Sequence, residues 1–240
     1  MHKFIEKVFI TGNIVAKTGL HVGGSKTSLD IGGIDLNVIK SANGIPFIPG
    51  SSLKGKLRSI LAREAGSVSV RPEKSLPPGA KTDRDFLYIV ELFGDANDRK
   101  DEGKPARLIV RDALLDEEHF NANRSGIFLE LEEKLFTESK WENTINRMTG
   151  TAQHPRQLER VPAGSVFNFE IIYNVFDDNQ KDAHLKEIIK AMRILEDDYL
   201  GGQGSRGYGK IKFEEVVVSV KTIEDYLGSN ERKPLEGIRF

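Results

Sequence analysis

The chain of 240 residues contains no cysteine. Disulfides, cysteine-ligated zinc and thiol catalysis are excluded together. It also lacks an excess of charge of either sign. The 35 Lys and Arg are matched by 36 Asp and Glu, leaving a net charge of −1. The molecule as a whole therefore does not attract a polyanion, and any nucleic-acid contact must come from local basic patches. No apolar run approaches the roughly 20 residues of a membrane helix. The opening Met1-His-Lys-Phe-Ile-Glu lacks the apolar core of a secretory signal. The expectation is a cytoplasmic protein with no membrane partner.

Glycine, by contrast, is concentrated. The segment Gly201-Gly-Gln-Gly-Ser-Arg-Gly-Tyr-Gly209 carries a single arginine among its glycines and runs directly into the β-prone Lys210-Ile-Lys-Phe. Glycine reaches positive φ without penalty and permits close backbone approach. Such a turn can aim several N–H groups at one anion, and Arg206 adds a fork of donors suited to phosphate. A tight helix-to-strand connection that simply requires glycine is the competing reading.

Periodicity defines six elements. Residues 4–17 read as a strand with Val8, Ile10, Ile14 and Ala16 on one face. Residues 51–65 read as a helix capped by Ser51 or Ser52, with Leu53, Leu57, Ile60 and Leu61 at helical spacing. Residues 107–112 form a short strand, and 165–175 a longer one whose inner face is Phe167, Phe169, Ile171, Tyr173 and Val175. Residues 181–196 form a helix with a stripe of Leu185, Ile188, Ile189, Met192 and Leu195. The last strand spans 210–220, and its phase slips at Glu214-Glu215, which predicts a bulge. The order β-α-β-β-α-β is that of an α+β ferredoxin-like or RNA-recognition core. Large insertions at 18–48, 66–106 and 113–163 account for the surplus length. The proline-rich, doubly charged 66–106 insertion reads as partly disordered.

Three segments from distant parts of the sequence carry chemistry. Gly19-Leu-His-Val-Gly-Gly24 holds His21, which can contact phosphate or shuttle a proton, and Gly23 and Gly24. Asp30 and Asp35 follow in a glycine-supported loop, as presented carboxylates or as turn residues. Ser51, Ser52, Lys54, Lys56 and Arg58 place hydroxyls and three cations in the first turns of a helix without any acid. Cations are ordinarily disfavoured at that end, and a bound phosphate would offset the cost. Residues 143–162 read as a protruding hairpin with Arg147, Gln153, Arg156 and Arg160, suited to backbone contacts and to wedging between bases. Together with Gly204, Ser205, Arg206 and Gly207, these segments point to RNA as the polyanion. The aromatic strand pair of an ordinary RNA-recognition module is missing, so stacking on the sheet face is not expected.

Six segments jointly resemble one family. They are Gly19-Leu-His-Val-Gly-Gly-Ser, Ile31-Gly-Gly-Ile-Asp35, Ile45-Pro-Phe-Ile-Pro-Gly-Ser-Ser-Leu-Lys-Gly-Lys-Leu-Arg58, Asn143-Thr-Ile-Asn-Arg147, Pro155-Arg-Gln-Leu-Glu-Arg160 and the glycine-rich loop. The family is the repeated backbone subunit of the type III-A CRISPR effector, the Csm complex, within the RAMP superfamily, and the resemblance runs from about 8 to 220. The resemblance implies a single RAMP domain over 1–240 with a thumb hairpin at 140–162. It implies a filament of copies along a CRISPR RNA, with other Csm subunits, cutting complementary target RNA at regular intervals, once per subunit. It implies Mg²⁺ or Mn²⁺ for cleavage, a 2′,3′-cyclic phosphate and a 5′-OH as products, and Asp35 as the catalytic and metal-proximal residue. Structural zinc is not carried over, because cysteine is missing. The alternatives are a non-catalytic RNA scaffold, the equivalent type III-B subunit, or a ferredoxin-like enzyme acting on a small phosphorylated metabolite.

Overall fold

The computed structural model describes residues 2–23, 36–67, 79–95, 105–129, 131, 135–238 and 240. The core begins with β1 (Phe4–Ala16), then the two-residue β2 (Phe47–Ile48) and α1 (Gly50–Glu64). A short helix α2 (Leu87–Phe93) precedes β3 (Leu108–Val110) and β4 (Ala113–Leu115), and α3 (Glu117–Ala122) follows. The hairpin β5 (Glu138–Ile145) and β6 (Ala152–Arg160) leads into β7 (Val166–Phe176), α4 (Lys181–Asp197) and β8 (Ile211–Thr222). A small helix α5 (Ile223–Leu227) and the edge strand β9 (Lys233–Pro234) close the chain.

The main sheet is antiparallel with the order β2-β4-β7-β1-β8-β9, and β3 adds to β7 beside β4. The ferredoxin-like arrangement expected from the sequence is therefore present, with β8, β1, β7 and the β3/β4 pair as its four strand positions. Alternation works as expected. Val8, Ile10, Ile14, Phe167, Phe169, Ile171, Tyr173 and Val175 all face one core. They meet Leu53, Leu57 and Leu61 of α1 and Leu185, Ile188, Met192 and Leu195 of α4, and the two helices pack side by side. Each fully buried aliphatic side chain contributes about 1.5–3 kcal/mol by removal from water. The bulge is also present: the β1–β8 register shifts between Thr11 and Asn13, and Glu215 takes a φ of 53°.

Two expectations change. The strand read as 107–112 is shortened to Leu108–Val110, and a separate strand begins at Ala113; Arg111, whose N–H still donates to Glu170 O of β7 at 3.1 Å, and Asp112 form the step between them. The step has a use. Asp112 Oδ1 accepts the N–H of Gly50 at 2.8 Å, at the start of α1. No side chain caps the helix from the position before it, which is Pro49, so neither Ser51 nor Ser52 serves as the cap. Gly50 is required there, since a Cβ would overlap the carbonyl of Val110. Among the described residues, no helix is long and apolar enough to cross a membrane.

Candidate nucleic-acid interface

The glycine-rich loop leaves α4 and forms one turn of 3-10 helix at Gly204–Arg206, flanked by Gln203 and Gly207 with φ of 62° and 82°. Most of its glycines serve close approach by the chain itself. A Cβ on Gly201 would overlap the carbonyl of His21, one on Gly204 the ring of Tyr199, and one on Gly209 the carbonyl of Leu200. Gly207 faces open space. The loop is stitched to the 19–22 segment by Gly202 N–H to His21 O at 2.8 Å and Gly209 N–H to Gly19 O at 3.0 Å.

That segment is stitched in turn to the base of the hairpin. Leu20 and Val161 exchange backbone hydrogen bonds at 2.8 Å in both directions. His21 is buried, and its Nδ1–H donates to the carbonyl of Glu159 at 2.7 Å. The bond fixes the tautomer and leaves Nε2 on the side of Gly23. The sequence thus places the His21–Gly23 segment, the hairpin and the glycine-rich loop far apart, and the fold brings all three to one junction.

Two buried acids organise this junction, and sequence reasoning missed both. Glu159 accepts from Val38 N–H at 2.8 Å, from Thr137 Oγ1 at 2.5 Å and from Lys40. Burial alone would raise its carboxyl, but the Lys40, Thr137 and Val38 hydrogen bonds hold it below the usual glutamate range. Glu142 likewise lies buried at the hairpin base and accepts from Arg206 Nη1, with Arg156 and Lys140 each at 4.0 Å. Burial opposes its charge, and Arg206, Tyr208 and Lys140 overcome that opposition, so its carboxyl is also held low. Tyr208 is fully buried between Lys140 and Arg160, whose charges lie 4.8 and 5.1 Å from its ring centre. Burial and the neighbouring Glu142 push its hydroxyl up to about 12. Arg160 Nε donates to Glu138 at 2.6 Å. Strand alternation could not have found both acids, because Glu142 opposes Arg156 and Glu159 opposes Ser139, which puts them on opposite faces of the hairpin.

The hairpin itself runs 138–160, two residues earlier than expected at each end. Its turn is closed by Asn146, whose Oδ1 accepts from Met148 N–H at 2.9 Å and Thr149 N–H at 3.3 Å, and by Gly150 at a φ of 69°. Arg147, Gln153 and the side chains of Trp141, Ile145 and Met148 are exposed, Met148 at 95%. Five such groups project from one narrow two-stranded ribbon.

The α1 cations differ from one another. Lys56 pairs with Asp198 at 3.2 Å and lies 3.7 Å from the centre of the Tyr199 ring, so it packs beneath the glycine loop. Arg58 donates to Asp83 at 2.7 Å and to the Gly94 carbonyl at 3.1 Å. Lys54 donates to the Leu108 carbonyl at 2.9 Å, and burial followed by the charge of Arg58 lowers its ammonium. The cost of cations at this helix end is thus met by the chain's own acids and carbonyls. Ser51 is exposed and Ser52 half-buried beside them. Ser205 is exposed and Gly204 half-buried in the 3-10 turn.

Gly24, Asp30 and Asp35 lie outside the described residues. The chain on either side of them is held: Gly23 bridges Val38, and Leu36 bridges Leu158 of the hairpin. Among the described residues, no three His, Cys, Asp or Glu side chains converge to hold a metal ion.

A ferredoxin-like sheet joined at one junction to a glycine-rich loop and a basic hairpin defines a class, and the chain belongs to it: residues 13–212 match the RAMP superfamily. Within that class it is 42% identical over 229 residues to the CRISPR system Cms endoribonuclease Csm3 of Methanocaldococcus jannaschii, covering 95% of this chain and 86% of the relative. It is 42% identical over 231 residues to the protein of the same name in Streptococcus thermophilus, covering 92% and 96%. A crystal structure of the Csm3–Csm4 subcomplex of the type III-A CRISPR-Cas interference complex matches it with a TM-score of 0.58 at 31% identity, covering 99% of this chain and 91% of that one.

Proposed function

We propose that the chain is the backbone subunit of a type III-A CRISPR effector, an endoribonuclease that holds a CRISPR RNA and cuts complementary target RNA at regular intervals, once per subunit. The observation that carries this is similarity over nearly the whole length, hairpin included, to relatives named as Csm3 endoribonucleases. The junction supports it. Arg206 uses Nη1 on Glu142, and a guanidinium has further N–H donors for a phosphate. The exposed Arg147, Gln153 and Met148 suit a hairpin that touches backbone and parts bases. His21, Gly23, Gly24, Ser51, Ser52, Lys54, Lys56, Arg58, Arg156, Arg160, Gly204, Ser205 and Gly207 complete the proposed RNA contacts. Lys56 and Arg58 contribute by shaping the surface from their internal pairs. Copies of the chain would line the guide as a filament with other Csm subunits, in the cytoplasm.

Asp35 is the proposed catalytic residue. It would help a ribose 2′-OH attack its own phosphate, forming the 2′-O–P bond as the P–O5′ bond breaks and leaving a 2′,3′-cyclic phosphate and a 5′-OH. Mg²⁺ or Mn²⁺ would be held beside Asp35, and among the described residues no three His, Cys, Asp or Glu side chains converge on an ion. The deciding experiment is purification of the assembled complex with its RNA sequenced, followed by cleavage of a complementary RNA by wild type and Asp35→Ala. Loss of cutting by about 10²-fold or more with guide and target still bound supports the reading. Equal cutting by the variant removes Asp35 from the chemistry, and no metal-dependent cutting by wild type leaves only the scaffold. EDTA is expected to stop cleavage without releasing RNA.

A further inference from the structure

A cleft of about 560 Å³ opens between the outer side of α4 and the C-terminal segment 235–238. None of its lining residues belongs to the proposed RNA interface. Its size lies in the range of pockets that hold ligand-sized groups. The cleft is held open by the fold: Leu235 N–H donates to Val218 O at 3.0 Å, and Phe240 packs edge-on against Phe213 with ring centres 5.7 Å apart.

Its floor is aliphatic, from Ile189, Ile194, Leu235 and Ile238. Its rim is cationic. Lys181, Lys186, Lys190 and Arg193 of α4 outnumber Asp182 and Glu236. Lys181 is committed to Glu6 at 2.6 Å, and Lys190 to Glu187 and Glu64 at 2.7 and 3.1 Å. Lys186 is exposed and has no ion pair among the described residues, while Arg193 lies over the Phe240 ring at 5.8 Å. The positive rim therefore centres on Lys186 beside the apolar floor. Among the described residues, no aromatic side chain lines the cleft, so bases would find no stacking platform, which argues against single-stranded RNA. An apolar floor beneath an unpaired cation fits an apolar anchor flanked by carboxylates.

We propose that this cleft docks a short peptide segment of a protein partner, one that combines a large apolar side chain with flanking Asp or Glu. The test is selection of a random 12-residue display library on the full chain, with counter-selection on Lys186→Glu. The leading peptide is then measured by fluorescence anisotropy against wild type, Lys186→Glu and Ile194→Asp. Convergence on an apolar-plus-acid pattern, with binding at least ten-fold weaker to both variants, is the expected result. The Lys186 change lies on an exposed position, so it remains decisive should Ile194→Asp unfold. No convergence, a consensus without acids, or equal binding by Lys186→Glu overturns the proposal. So does displacement of the peptide by labelled oligouridylate, which would assign the cleft to RNA.

Discussion

The Glu142–Arg206 pair shows how one acid can set the availability of a cation proposed to bind phosphate. Arg206 sits in a loop selected for phosphate chemistry by sequence, yet its partner in the free chain is a buried carboxylate of the hairpin. Under the proposed function, a phosphate reaching Arg206 would have to share or displace Glu142, and RNA binding would be coupled to hairpin orientation through one guanidinium. Glu142→Gln keeps the shape and removes the charge. It is expected to lower stability by about 1.5–3 kcal/mol, the scale of a hydrogen bond to a charged group, read from urea unfolding. It is also expected to tighten RNA binding at low salt, because Arg206 loses its internal anion. Weaker RNA binding with unchanged stability would contradict this coupling. Glu142 and Glu159 are both held below their unfolded value near 4.3. Their contribution is therefore complete above that value and is lost as pH falls below it toward their folded values. Glu159→Gln is expected to flatten that acid limb while costing more than Glu142→Gln, since Val38, Thr137 and Lys40 all lean on it.

At the scale of elements, α1 is where local sequence and tertiary structure part company. Its apolar stripe of Leu53, Leu57, Ile60 and Leu61 was legible from periodicity, as were β1, β7, α4 and β8, because each buries one face against the same core. Its start was not legible. The serines after Pro49 suggested a cap, but the accepting carboxylate is Asp112, 62 residues away in a break between β3 and β4. No window of local sequence contains that information. Asp112→Ala is expected to destabilise by about 1 kcal/mol, as for removal of other helix caps, in chemical denaturation. Gly50→Ala is expected to cost more, because its Cβ meets the Val110 carbonyl, which is backbone and cannot swing away. A neutral Gly50→Ala would show that β3 and α1 can separate without loss. The candidate site was legible in the same uneven way. Glycine and arginine content exposed the loop and the hairpin, whereas the acids that join them look like ordinary surface residues in one dimension.

Across the whole molecule, a buried polar cluster ties the elements together at the side of the sheet away from the hairpin. Tyr173 of β7 lies 2.8 Å from His184 Nδ1 of α4, and His184 Nε2 lies 3.2 Å from Glu91 of α2. Arg107, just before β3, pairs with Asp178 at 2.5 Å and approaches Glu91 at 3.4 Å. Tyr173 donating to Nδ1 and Nε2–H facing Glu91 describe a neutral imidazole. Burial first, and the charge of Arg107 second, lower the His184 value from its ordinary one, against the opposing pull of Glu91 and Asp178. Burial also pushes Tyr173 up to about 12. The sign follows from proton counting. The unfolded chain binds a proton near pH 6.5 that the folded chain refuses until lower pH. Stability is therefore fully present above about 6.5 and declines as pH falls through that value. Thermal melts from pH 7.5 to 5.5 are expected to show this decline in wild type and a shallower one in His184→Phe. The variant's melting temperature is expected to be lower throughout, because Tyr173 and Glu91 lose their partner, so the slope and not the level is the reading. An equal slope in the two proteins would assign the pH response to groups other than His184.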